Sequence, residues 1–213
     1  MSVHKVSGLD SLIDRASEAL CGPGWICLPM PFGSDLATAL ASEAVRYRES
    51  QQLVPAGVGR GANAVVRTDI RSDRIAWLDG SSSAQQDYLA HMEALRHGLN
   101  RALFAGLREY ECHFSDYAPG AFYERHIDSF RGDAIRKVST VFYLNPDWQD
   151  GWGGQLRIFD PKAPERVLAE VSPQLGSWVC FLSDVFEHEV LTASHHRHAI
   201  AGWFRCKPLD SPV

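Results

Sequence analysis

The chain has 213 residues, 45% of them hydrophobic and 22% charged, and a formal net charge of −5. That length builds one domain with a sizeable core, and the acidic balance removes any general electrostatic reason to bind nucleic acid or an anionic membrane. Five widely spaced cysteines (Cys21, Cys27, Cys112, Cys180 and Cys206) form no CxxC pair, the N-terminus carries no apolar leader and no run of 18 apolar residues occurs. The expectation is a cytoplasmic protein with free thiols, acting on neither nucleic acid nor membrane.

The N-terminal third reads as helical. Leu9, Leu12, Ile13, Ala16 and Leu20 recur at helical spacing, with Ser7 placed as N-cap and Gly22-Pro23 as the stop. "GWICLPMPF" predicts a short buried strand, and "GSDLATALASEAVRYRES" a second helix capped by Ser34 or Asp35. Residues 51–69 hold three glycines and a proline without a period, which predicts a long loop of the kind that serves as a lid. "SSSAQQDYLAHMEALRHGLNRALFAGL" carries Tyr88, Met92, Leu95, Leu99 and Leu103 on one stripe, a core-packing helix.

From residue 109 the character changes to short β-rich runs separated by turn clusters such as "NPDWQDGWGG" and "SPQLG". Helices followed by seven or more strands predict an α+β protein, its helices packed on one side of a β-sandwich or barrel. No repeat or linker divides the chain. It reads as a single domain over 1–213, with 1–108 mainly helical support plus the loop 51–70, and 109–206 the β core.

"YERHIDSF" places His126 and Asp128 two apart, which in or at the end of a strand directs both to one face. Two histidines and one carboxylate with positions left open are the usual ligands of non-haem Fe(II) oxygenases, so the pair needs a histidine from another strand. His188, in "DVFEHEVLTA", supplies it. Arg197, nine residues later, suits the distal carboxylate of a dicarboxylate cosubstrate, and Tyr143 in "VFYLN" can donate its hydroxyl to the same group. The cosubstrate that fits is 2-oxoglutarate. His195, His196 and His198 in "SHHRHA" are placed instead in a solvated turn between strands.

The order of these pieces resembles the 2-oxoglutarate/Fe(II)-dependent prolyl hydroxylases, of the hypoxia-inducible-factor (EGLN) type and their bacterial relatives. The matching segments are "DIRSDRIAWLDG", "YERHID", "RKVSTVFYLNPDW", "GGQLRIF", "HEV" and "RHAIAGWF", spanning about two thirds of the chain. The resemblance implies a double-stranded β-helix (jelly-roll) core and a peptidyl-prolyl 4-hydroxylase that uses Fe(II), 2-oxoglutarate and O2, with ascorbate as a further reductant, and releases succinate and CO2. It makes His126, Asp128 and His188 the iron ligands. Arg197, with Tyr143, holds the cosubstrate carboxylate, Tyr117 lies beside it, and Leu156 and Val190 form its apolar walls. It sets Arg136 and Trp203 where the target proline enters. It assigns Arg71 and Asp73 to a pair associated with a mobile loop over substrate, here 51–70.

The chain ends at Val213, where animal members continue into a segment that helps grip the peptide, so the target need not be theirs. The bacterial relatives suggest a protein partner bearing the target proline, with elongation factor Tu as the candidate. The alternatives are a hydroxylase of a free amino acid or other small molecule, and a metal-free binding module that kept only the fold.

Overall fold

The computed structural model describes residues 3–57, 66–129 and 135–206, with side chains of the first helix from Gly8 onward. Three helices, α1 (Val3–Cys21), α2 (Ser34–Glu49) and α3 (Ser83–Leu103), cover one face of a seven-stranded antiparallel sheet. Its strands run β1 (Trp25–Pro29), β9 (Ser177–Leu182), β6 (Arg136–Tyr143), β11 (Arg197–Arg205), β4 (Glu109–Tyr117), β3 (Arg74–Trp77) and β2 (Val54–Pro55). A second sheet, in the order β5 (Tyr123–His126), β10 (His188–Val190), β7 (Leu156–Asp160) and β8 (Ala163–Val171), packs on the opposite face.

Strand alternation splits the core in two. On β6, Val138 and Phe142 join the helices, whereas Val141 and Tyr143 point between the sheets. Trp178 and Cys180 of β9 face the helices and Val179 and Phe181 the inter-sheet space. The expected stripe of α3 is real: Tyr88, Met92, Leu95 and Leu99 are wholly buried. A Ser82 side chain caps that helix by accepting from the Gln85 N–H at 3.1 Å.

Several local expectations are corrected. The first helix begins at Val3 and runs through Ser7, since residues 3–6 contain no Gly or Pro to delay it. The cap of α2 is Gly33 (φ 85°), which has no side chain to offer, and Ser34 Oγ donates instead to Asp35 Oδ1 at 3.4 Å. The segment 51–69 is not all loop: Val54–Pro55 pairs with β3, while the notional lid tip 58–65 lies outside the described residues. The first 108 residues are therefore more than helical support, as they contribute three strands of the larger sheet. His198, expected in a solvated turn, is the second residue of β11 and is buried, because that strand starts at Arg197 and directs it toward the helices.

Candidate active site

Between the sheets lies a cavity lined by twenty residues, among them eleven of the twelve site candidates named from the sequence; the twelfth, Tyr143, packs behind Arg197. β4 and β11 contribute alternate residues to the cavity (113, 115, 117 and 197, 199, 201, 203), which is why residues far apart in the chain converge there.

His126 ends β5 and His188 opens β10, and the two are direct partners in the antiparallel register. Each ring is oriented by its backbone: His126 Nδ1 meets the Glu124 carbonyl at 2.8 Å and His188 Nδ1 the Phe186 carbonyl at 3.1 Å. With Nδ1 carrying the proton, both Nε2 atoms are left as lone pairs, and both aim at Asp128, one at Oδ1 and one at Oδ2, each at 3.6 Å. Donors about 2.1 Å from one cation stand about 3.0–3.4 Å apart, so three ligand atoms already sit close to the spacing that an ion would impose. Burial, reinforced by the nearby His126, pushes the His188 imidazole down to about 4, leaving it neutral and able to ligate. Burial alone would raise the Asp128 carboxyl. The adjacent His188 and His126 imidazoles outweigh it and hold the group well below the usual carboxylate range.

Two supports of this triad were not anticipated. Ser139 Oγ donates to Asp128 Oδ2 at 2.6 Å and contacts Ser183 Oγ at 2.8 Å, fixing the carboxylate. The signal was present, since Ser139 shares strand parity with Tyr143. Tyr123 stacks on His126 with ring centroids 3.6 Å apart. Residues three apart fall on opposite faces of a regular strand; here the pairing of β5 with β10 is irregular, and no sequence pattern marks that.

Arg197 is 2% exposed, yet no carboxylate pairs with it among the described residues. Its Nε donates to the Gly154 carbonyl at 2.8 Å, and its guanidinium lies 4.8 Å from the Tyr117 ring centroid and 5.1 Å from that of Tyr143. The Tyr143 hydroxyl is buried without a hydrogen-bond partner. Burial raises this phenol to about 12 against the pull of Arg197, so it stays a donor at neutral pH. A buried unpaired cation beside an orphaned hydroxyl is costly unless an anion satisfies both. Gly154 sits at φ 68°, and a Cβ there would come within 3.1 Å of Arg197 Cδ, so glycine leaves the arginine its room. Leu156 and Val190 supply apolar wall.

The outer part of the cavity holds aromatic–cation pairs. The Arg136 guanidinium lies 3.7 Å over the Trp203 ring and is bonded to Glu111 at 2.9 Å. The Arg71 guanidinium forms a two-pronged pair with Asp73 at 2.7 and 2.6 Å while resting over Tyr123. Asp73 is wholly buried, so this pair is a fixed part of the cavity wall rather than only a flank of the 51–70 segment. His195 lies apart, exposed and stacked on Trp152.

Two histidines and an aspartate at ligand spacing inside a double-stranded β-helix define the site class of the non-haem iron oxygenases. Residues 112–205 match the family model of the 2OG-Fe(II) oxygenase superfamily. The structure superposes on a Pseudomonas putida prolyl-4-hydroxylase with a TM-score of 0.83 and 42% identity, covering 91% of this chain and 99% of that one. It also matches a Trichoplax adhaerens prolyl hydroxylase, solved with a hypoxia-inducible-factor peptide fragment, at TM-score 0.85 and 25% identity over 96% and 94% of the two chains. Egl nine homolog 1 of Rattus norvegicus is 31% identical over 64% of this chain and 42% of its own length. The chain thus spans less than half the length of that relative. It belongs to the 2-oxoglutarate/Fe(II)-dependent oxygenases, and EGLN-type prolyl hydroxylases are among its relatives. The cofactors of that family are Fe(II) and 2-oxoglutarate with O2, and the donor set and the orphaned Arg197–Tyr143 end fit them.

Proposed function

We propose that the protein is a peptidyl-prolyl 4-hydroxylase that couples conversion of 2-oxoglutarate and O2 to succinate and CO2 with hydroxylation of a proline in a protein loop. The observation that carries the reading is the shared cavity of the His126–Asp128–His188 cluster and the unpaired Arg197 with its orphaned Tyr143 hydroxyl. In this reading the three side chains hold Fe(II), which when bound supplies the oxygen-activating chemistry. Arg197 offers its planar fork and Tyr143 its O–H to the distal carboxylate of 2-oxoglutarate, and Tyr117 packs alongside. Leu156 and Val190 exclude water from its methylene chain. Ser139 holds the Asp128 carboxylate so that the ligand geometry is set before the cosubstrate arrives. Trp203, braced by Arg136, offers an aromatic face for the prolyl ring at the mouth. Arg71 and Asp73 shape the wall beside the 51–70 segment, which serves as the lid.

The partner is a protein, with elongation factor Tu the candidate, and the setting is the cytoplasm. In support, the described residues include no helix long and apolar enough to cross a membrane, and no disulfide joins the five cysteines. The test is mass spectrometry of purified elongation factor Tu, and of a whole-cell protein extract, after incubation with the enzyme, Fe(II) and 2-oxoglutarate. One added oxygen on a prolyl residue is expected, absent with His126→Ala. Succinate formed with free proline but with no protein tested would assign the site to a small-molecule substrate instead.

A further inference from the structure

We propose that Asp116, His196 and His198 form a second divalent-cation site, of nitrogen-and-oxygen preference such as zinc, on the face of the larger sheet opposite the catalytic cavity. His198 and Asp116 are cross-strand partners on β11 and β4, and both side chains turn toward α2. Their neighbours Arg197 and Tyr117, a register pair one position along, turn the other way into the catalytic cavity. The two clusters are therefore back to back across one sheet and share no ligand.

Three features mark a built site. His196 Nδ1 and His198 Nε2 stand 2.9 and 3.3 Å from the same oxygen, Asp116 Oδ1, and tetrahedral donors about 2.0–2.1 Å from one ion are about 3.3 Å apart. Asp116 is 3% exposed and His198 6%, so both partners are already desolvated. The buried His198 Nε2 makes no hydrogen bond, even though a carboxylate oxygen faces it. That nitrogen lacks the hydrogen bond that a simple His–Asp pair would make, and a cation between the two would satisfy both.

Charge and space agree. Burial pushes the His198 imidazole down, and Arg48 adds to this against the pull of Asp116, so the ring is held in the neutral form that ligates. Arg48, whose charge opposes a cation, is itself paired with Glu49 at 3.4 Å. The cluster opens on a cavity of about 350 Å³ between α2 and the 144–152 segment, with Trp148 and Trp152 on its wall. Three protein donors beside such a space leave a fourth position for water or a small anion. Two imidazoles and one carboxylate favour zinc, cobalt or nickel over magnesium or calcium, which prefer all-oxygen sites.

The experiment is equilibrium dialysis of the metal-free full chain against zinc, with metal content measured per protein. Wild type should retain two equivalents, since the catalytic triad also takes zinc. His126→Ala should retain one, and Asp116→Asn and His196→Ala should each retain one or bind the second about tenfold or more weakly. His196 is half-exposed, so its truncation keeps the fold, and a melting temperature within about 2 °C of wild type verifies that. Cobalt gives an independent reading: intense four-coordinate visible bands should persist in His126→Ala and vanish in His196→Ala. A single equivalent in wild type that His126→Ala abolishes overturns the proposal. So does a second equivalent that survives both Asp116→Asn and His196→Ala.

Discussion

Replacing Tyr143 by Phe removes one oxygen from the back of the cosubstrate end of the cavity, and should move stability and affinity in opposite directions. The hydroxyl is fully buried and unpartnered, and its ring is fully buried as well, so the change leaves packing intact. An unsatisfied buried polar group costs about 1–3 kcal/mol, so the ligand-free variant should gain about 1 kcal/mol, about 2–4 °C in melting temperature for a chain of this size. In the proposed binding mode of 2-oxoglutarate, the same hydroxyl donates to its carboxylate, a charge-assisted bond worth about 1.5–3 kcal/mol. Its loss should weaken the cosubstrate by about 10- to 150-fold. The assays are thermal unfolding of the metal-free protein, and calorimetric titration of 2-oxoglutarate into protein loaded with a redox-inert divalent metal. Unchanged cosubstrate affinity would remove Tyr143 from the carboxylate site. A lower melting temperature without ligand would mean that the hydroxyl already has a partner in the resting protein.

Arg197→Lys should lower 2-oxoglutarate affinity by tens-fold at unchanged iron content, since an ammonium keeps the charge but loses both the fork and the Nε bond to Gly154; equal affinity by titration would count against the fork. Ser139→Ala should weaken Fe(II) binding by about tenfold, read by metal titration, because Asp128 loses its 2.6 Å anchor. Asp73→Asn should destabilise the fold by about 3–5 kcal/mol in urea unfolding, because Arg71 would keep its buried charge without a counter-charge. Burial pushes the His113 imidazole down to about 4, whereas an unfolded histidine titrates near 6.5. The unfolded state therefore binds the extra proton between those values, so the stability from neutral His113 is present above about pH 6.5 and is lost as pH falls toward 4. In His113→Leu, the stability difference between pH 7 and pH 5 should shrink by about 2 kcal/mol, measured by urea unfolding at each pH.

Much of this protein is legible in the chain itself. The period of α3, the strand runs after residue 109, the HxD spacing and the later His188 and Arg197 are local patterns of hydrophobicity and chemistry, and strand or helix geometry converts them directly into faces. Because β-strand parity is strict, even Ser139 and His113 could have been read as facing the same cavity as Tyr143 and Tyr117. What the sequence does not carry is the pairing. That "RIAW" and Val54–Pro55 join the larger sheet depends on β3 lying beside β4, a contact between segments with no local mark. The stacking of Tyr123 on His126 depends on an irregular register with β10, and the burial of His198 on where β11 begins. Likewise, His198 reads as a turn histidine, and nothing local singles out Asp116, until β4 and β11 are aligned, some eighty residues apart, and set the two side by side. Local pattern is decided by each residue's own backbone and neighbours in sequence, whereas register is decided by which strands win the competition to bury their faces, and that is a property of the whole chain.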